Sequence, residues 1–178
     1  MGPSAADRDP VVFAQDVLRT NTWNTLEAFL RATLTHSRIA IRGCHASSKT
    51  FGAAQLCLWW LSKYPDGVVV TVAPGARQVD ELLWLEIRKA KRGSRIKFPE
   101  VTGSAKSGGI RLDLALDNYA LGFSTEKGGE GVKAQGIHAA HLLIIVDEAP
   151  GVSAEVMDAL EGMRRCAAPP VRRRGRRD

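Results

Sequence analysis

The sequence predicts an α/β fold, a three-layer sandwich in which helices cover both faces of a mostly parallel sheet. Two stretches and one bulk property predict it. Ile39-Ala40-Ile41-Arg42-Gly43-Cys44-His45-Ala46-Ser47-Ser48-Lys49-Thr50 is an apolar run, then a small-residue loop, then the start of a helical pattern. Leu142-Leu143-Ile144-Ile145-Val146 is five aliphatics without alternation, which suits a strand covered on both faces, and it ends in the carboxylates Asp147 and Glu148. A chain of 178 residues with 44% hydrophobic but only 6% aromatic residues has room for one domain built on an aliphatic core.

Both stretches carry a chemical reading. Gly43, Lys49 and Thr50 stand at the spacing of the phosphate-binding pattern GxxxxGK[ST], with Ser48 where the second glycine is expected. A strand feeding a tight loop that opens a helix aims successive backbone N–H groups at one spot, where the helix N-terminus adds partial positive charge. Residues Gly43, Cys44, His45, Ala46, Ser47, Ser48, Lys49 and Thr50 would form that cradle. Lys49 would reach the outer phosphates and the Thr50 hydroxyl would ligate Mg²⁺. The competing account is a polar turn between a strand and a helix. Asp147 at a strand end is placed to complete the Mg²⁺ shell, and Glu148 to orient or deprotonate an attacking water.

In chain order, Pro10 to Val17 and Thr25 to Leu34 read as short helices, the second with a stripe of Leu26, Phe29, Leu30 and Leu34. Trp23 reads as a packing residue, with closure of the N-terminal segment over a nucleotide base as the alternative. Ser37 to Arg42 reads as the first core strand and Lys49 to Lys63 as a helix with Phe51, Ala54, Leu58 and Leu61 inward. Tyr64-Pro65-Asp66-Gly67 is a turn by composition, followed by the β-branched strand Val68 to Val72. A helix from Gln78 to Lys91 presents Val79, Leu82, Leu83 and Ile87. Arg77 precedes it in the loop at a strand end, the rim where α/β sheets place ligands, and is a candidate arginine finger. Gly93 to Gly109 reads as an exposed connector. Ile110 to Leu116 and Tyr119 to Phe123 read as a hairpin with one wet face. Ser124 to Gly136 is a polar, glycine-rich loop. His138 and His141 lack a third ligand and read as structural. Ser153 caps a last helix to Met163 with Val156, Met157 and Leu160 inward. The resulting division is an N-terminal helical segment, 1–36, a core, 37–163, and an Arg/Pro-rich disordered tail, 164–178.

The net charge of +6 lies in that tail, where seven arginines face one aspartate; the rest of the chain carries equal numbers of basic and acidic residues. A basic arm of this kind binds nucleic acid electrostatically, and an out-of-frame or accidental end is the other account of it. Cys44, Cys57 and Cys166 have no metal-ligand spacing and fit a reducing compartment. No run approaches the ~20 apolar residues of a membrane helix, and no signal-peptide pattern opens the chain, so the expectation is a soluble, intracellular protein with no membrane partner.

Four segments in one order resemble the ATPase domain of phage terminase large subunits, the P-loop NTPases (ASCE-like in fold) that package DNA into proheads. They are Phe13-Ala14-Gln15-Asp16-Val17-Leu18 with Trp23, the loop from Gly43 to Thr50, Thr71-Val72-Ala73-Pro74-Gly75-Ala76-Arg77-Gln78-Val79 followed by Leu83-Trp84-Leu85-Glu86-Ile87, and Gly136-Ile137-His138 leading to Ile145-Val146-Asp147-Glu148-Ala149. The resemblance spans residues 10–163. It implies ATP and Mg²⁺ as cofactors, Lys49 on the phosphates, Thr50 and Asp147 around the metal, and Glu148 as the catalytic carboxylate. It also implies double-stranded DNA, a portal and a small terminase subunit as partners, a homo-oligomeric ring, and the host cell cytoplasm as the place of action. Leu26 stands where the family often has an adenine-reading glutamine, and no arginine lies in the phosphate loop, which leaves Arg42 and Arg77 as finger candidates. In that family a coupling strand, lying between the phosphate-loop strand and the acidic strand, and a nuclease domain follow. Their absence here reads as a truncated or frame-disrupted copy, with a vacant sheet position and weak hydrolysis. The alternatives are a non-catalytic nucleotide- or nucleic-acid-binding remnant and a helicase-like P-loop ATPase.

Overall fold

The computed structural model describes residues 4–44, 47–126, 137 and 139–167. Among these, α1 (Ala5–Arg8) and α2 (Pro10–Val12) lead into a wide π turn, Phe13–Val17, and α3 (Asn24–Thr35) follows. Ser4 and Asp7 form a reciprocal capping box on α1, and Pro10 opens α2 where its missing N–H costs nothing. The helix α4 (Lys49–Lys63) feeds β1 (Gly67–Ala73), and a π turn at Gln78–Leu83 runs into α5 (Trp84–Gly93). Then come β2 (Val101–Ser104), β3 (Gly109–Ala115), β4 (Asn118–Ser124), β5 (His141–Val146) and α6 (Ala154–Ala167).

The five strands form one mixed sheet in the order β2-β3-β4-β1-β5. The central strand β1 runs parallel to both β4 and β5, and β3 is antiparallel to β2 and β4. Alternation along β1 sorts its side chains to the two faces. Val69 and Ala73 pack with α4, α5 and the N-terminal helices, while Val68, Val70 and Val72 join Phe123 against Leu160 and Met163 of α6. Helices therefore lie on both sides of the sheet.

One contact fixes α5 to this sheet. Trp84 is fully buried, and its indole N–H donates to Thr71 Oγ1 of β1 at 2.9 Å. The ring needs the bare backbone of Gly122 on β4, because a Cβ there would stand 2.2 Å from the indole nitrogen and 2.7 Å from Thr71 Oγ1.

Several expectations are corrected. Ser37 to Arg42 forms no strand; it runs beside the fold with Ile39 and Ile41 about two-fifths exposed, and Arg38 donates to Glu161 of α6. Arg164 and Arg38 beside Glu161 hold its carboxyl down to about 2. The hairpin of β3 and β4 forms as expected and β3 alternates buried with more exposed positions, but β4 has no wet face: it is inserted beside β1, and Ala120 and Phe123 are buried on opposite faces. The stretch read as a connector, Gly93 to Gly109, contributes the edge strand β2 and a 3₁₀ turn at Ala105–Ser107. Half of the strand pairings are antiparallel, so the sheet is mixed rather than mostly parallel.

Helix ends and faces also differ. The last helix runs past Met163 to Ala167, so the boundary expected at 164 falls inside it, and residues 168–178 lie outside the described part. Met157, Leu82 and Leu34 are exposed; Met163 and Trp84 take the inward positions instead. No described helix is long and apolar enough to cross a membrane.

Candidate functional site

Because β1, β4 and β5 are parallel, their C-terminal ends open at one edge of the sheet, the edge that carries ligands in open α/β sheets. Pro74 to Arg77 leave β1 there, Thr125 and Glu126 leave β4, and Asp147 and Glu148 leave β5. Thr125 N–H donates to the carbonyl of Ala73 at 3.2 Å and Asp147 N–H to that of Val72 at 2.8 Å, so the three exits are stitched together.

The N-terminus of α4 points into this edge. Thr50, its second residue, donates from Oγ1 to Asp147 Oδ2 at 3.3 Å across 97 residues of chain. Gly43 and Ser47 close the loop in front of it: a Cβ on Gly43 would stand 2.6 Å from Ser47 Oγ, and Ser47 N–H donates to the carbonyl of Cys44 at 3.3 Å. Lys49 folds back into the same loop. Its ammonium donates to the carbonyls of Gly43 and Cys44, both at 2.9 Å, and to Ser47 Oγ at 3.1 Å. His45 and Ala46 lie outside the described residues.

Ser48 sits immediately before α4 with φ 60°, ψ 21°, the left-handed conformation for which the pattern supplies glycine. An L-residue there costs about 1–2 kcal/mol, against the ~0.5–1 kcal/mol that glycine loses through unfolded-state freedom. Ser48→Gly is therefore expected to raise stability by up to about 1 kcal/mol, read as a higher urea midpoint at unchanged slope.

The acids differ in setting. Asp147 is half-buried, and desolvation pushes its carboxyl above the usual range; the charge of Glu148 adds to that, while the Thr50 hydrogen bond and the Lys49 ammonium oppose it. A half-buried carboxylate short of positive charge, touching a hydroxyl oxygen, is a donor set suited to a hard divalent cation. Thr50 and Asp147 would hold it. Among the described residues no group of three His, Cys, Asp or Glu is clustered for a metal, so such a cation would draw its remaining ligands from water and phosphate. Glu148 is exposed and also left-handed, φ 53°. Its carbonyl accepts from Gly151 N–H at 2.8 Å, and the side chain stands at the same rim.

Arg77 lies at this edge but is engaged elsewhere, its Nε 2.9 Å from Glu81 one helical turn on. Arg42 is exposed in the extended segment before the loop. His141 sits at the opposite end of β5, stacked on Tyr64 at 4.0 Å with Nδ1 2.7 Å from Asp66. Cys57 is fully buried in α4, and burial pushes its thiol up to about 12, which removes it from nucleophilic chemistry.

Two features were not read from the sequence. Glu126 Oε2 accepts from Ala76 N–H at 3.4 Å, tying the exit of β4 to that of β1; its only signal was a charge just past a strand end. Gln55, an amide on the otherwise apolar α4, is buried against the N-terminal segment. Comparison with protein-family models, with curated proteins and with solved structures found no match.

Proposed function

We propose that this chain is the ATP-binding and ATP-hydrolysing module of a DNA-packaging motor of the terminase large-subunit kind. The observation that carries the reading is the meeting of Thr50 and Asp147 at the mouth of the Gly43–Thr50 loop, beside Lys49. A hydroxyl, a carboxylate and an ammonium converging at a helix N-terminus are the parts that grip a Mg²⁺–triphosphate. Thr50 and Asp147 would hold the Mg²⁺, which when bound would supply positive charge against the charge that builds during phosphoryl transfer. Lys49 turns from its own loop carbonyls to the outer phosphates. Glu148 orients and deprotonates water at the rim, and Arg77 leaves Glu81 to serve as the finger. The partners are those implied by the resemblance: double-stranded DNA, a portal, a small terminase subunit and other copies of the chain in a ring.

A second reading, a nucleotide-binding module without turnover, is favoured by one observation. The strand that carries the acids, β5, is an edge of the sheet, with no partner strand among the described residues on its far side, so Glu148 stands at the end of a strand held from one side. A helicase-like ATPase would use the same site.

The test is calorimetric titration of ATP with and without Mg²⁺, together with phosphate release. Mg²⁺ is expected to tighten ATP binding, and Asp147→Asn to weaken the Mg²⁺-bound form by about tenfold or more, the ~1.5–3 kcal/mol of one charge-assisted contact. Turnover that Glu148→Gln abolishes while binding persists supports the motor. Binding without turnover supports the second reading. No Mg²⁺-dependent binding overturns both.

A further inference from the structure

Strand β5 has the sequence of a central strand and the position of an edge strand. Leu142-Leu143-Ile144-Ile145-Val146 carries no polar residue on either face, the pattern of a strand enclosed on all sides. Its neighbour β1, which has two partner strands, is buried at every position, whereas all six residues of β5 are only half-buried. Helix α6 covers part of one face, where Leu142, Ile144 and Val146 pack with Leu160 and Met163. Exposed aliphatics lie on that helix and beside it: Met157 is 40% exposed, and Ile39 and Ile41 are 39% and 41% exposed in the segment that Arg38 ties to Glu161.

The ladder fixes which backbone groups of β5 are free. Val72 faces Val146, and the Val72 carbonyl accepts from Asp147 N–H at 2.8 Å. In a parallel pair of this register the residue that is faced turns its own N–H and C=O aside, and the pattern repeats at alternate residues. Leu143, Ile145 and Asp147 therefore bond to β1, while Leu142, Ile144 and Val146 aim their N–H and C=O groups away from it. Among the described residues nothing donates to or accepts from these groups.

A strand that satisfies this edge must be aliphatic without alternation, because a strand with one polar face would leave apolar surface of β5 beside polar groups. The chain itself carries such a strand. Two copies of β5 laid antiparallel about Ile144 bring Leu142 opposite Val146 and Ile144 opposite its own counterpart. Outward residues then meet outward residues, and each pair exchanges both of its hydrogen bonds. Leu143 comes opposite Ile145, which continues the aliphatic contact on the other face. His141, with Nδ1 2.7 Å from Asp66, comes opposite Asp147. The acids Asp147 and Glu148 of the two copies fall at opposite ends of the pair, where a parallel arrangement would set them side by side.

We propose that two copies of this chain join edge to edge through β5, antiparallel about a two-fold axis at Ile144. The pairing closes on itself, which distinguishes it from the head-to-tail contact of a ring, and it stands independently of the phosphate-site reading. Its test is sedimentation velocity of the full chain over a concentration series. Wild type is expected to give a two-chain species and nothing larger. Ile144→Pro removes an N–H that points away from β1, so the bonds within the sheet are kept while the bonds at the axis are lost. It is expected to raise the dissociation constant by about tenfold or more. Ile144→Lys, which sets like charges against each other at the axis, is expected to do the same and decides the matter where Ile144→Pro does not fold. A chain that stays single at its highest soluble concentration overturns the proposal. So does a two-chain species that folded Ile144→Lys leaves intact, or a mass that keeps growing with concentration.

Discussion

Lys49→Ala is expected to weaken Mg²⁺–ATP binding by about 100-fold in calorimetric titration while leaving the unfolding midpoint nearly unmoved. The ammonium has no buried apolar role; its three acceptors are the carbonyls of Gly43 and Cys44 and the Ser47 hydroxyl, all in an exposed loop. Exposed losses of that kind stay within about 0.5 kcal/mol of stability. A charge-assisted contact to phosphate contributes about 1.5–3 kcal/mol. Arginine is a poor substitute, since its planar fork does not fit where a compact ammonium is ringed by loop oxygens. Undiminished affinity in Lys49→Ala would place any nucleotide elsewhere on the chain.

Trp84→Ala carries the largest expected loss of stability, about 4 kcal/mol in urea unfolding. The indole is 0% exposed and is wedged between α5 and the sheet over Gly122. Removing a ring of that size deletes its transfer free energy and leaves a cavity that the strands cannot close. Against a total of 5–15 kcal/mol for a domain, that is a quarter or more of the whole. Trp84→Phe keeps most of the apolar volume but gives up the hydrogen bond to Thr71, and is expected to lose only about 1–2 kcal/mol. A Trp84→Ala variant as stable as Trp84→Phe would mean that the wedge is not where α5 is held.

The elements best read from the sequence are those whose own residues decide them. The helix of Lys49–Lys63 has both expected ends, because the loop before it and the Tyr64-Pro65-Asp66-Gly67 turn after it stop the pattern within a residue. The aliphatic strands β1 and β5 are legible for the same reason. Strand formation in Ser37 to Arg42 is not decided locally: the alternation of Ile39 and Ile41 states which side chains prefer burial, but a ladder also needs a neighbouring backbone, and none of the described strands pairs with it. The reverse holds for β2, whose Val101-Thr102-Gly103-Ser104 has little apolar signal and is made a strand by β3 alone.

At the candidate site, spacing placed Gly43, Lys49, Thr50 and Asp147 together on chemical grounds, and the Thr50–Asp147 hydrogen bond joins the two halves. Arg77 was placed at the right rim, but the acid that engages it, Glu81, belongs to the helix that follows. Gln55 gave almost no signal, since one amide among apolar neighbours reads as a tolerated polar residue until the packing of Thr20 against it is seen.

The position of β5 has a consequence for the molecule in concentrated solution. Its backbone amides and carbonyls on the side away from β1 run along an aliphatic strand, His141–Val146, that carries neither a proline nor an acidic or lysine gatekeeper. Proteins ordinarily guard such a border with charge, a kink or a cover. Among the described residues no strand pairs with that border, so a second extended chain is expected to add to it, and colloidal behaviour and assembly then follow from what occupies it first.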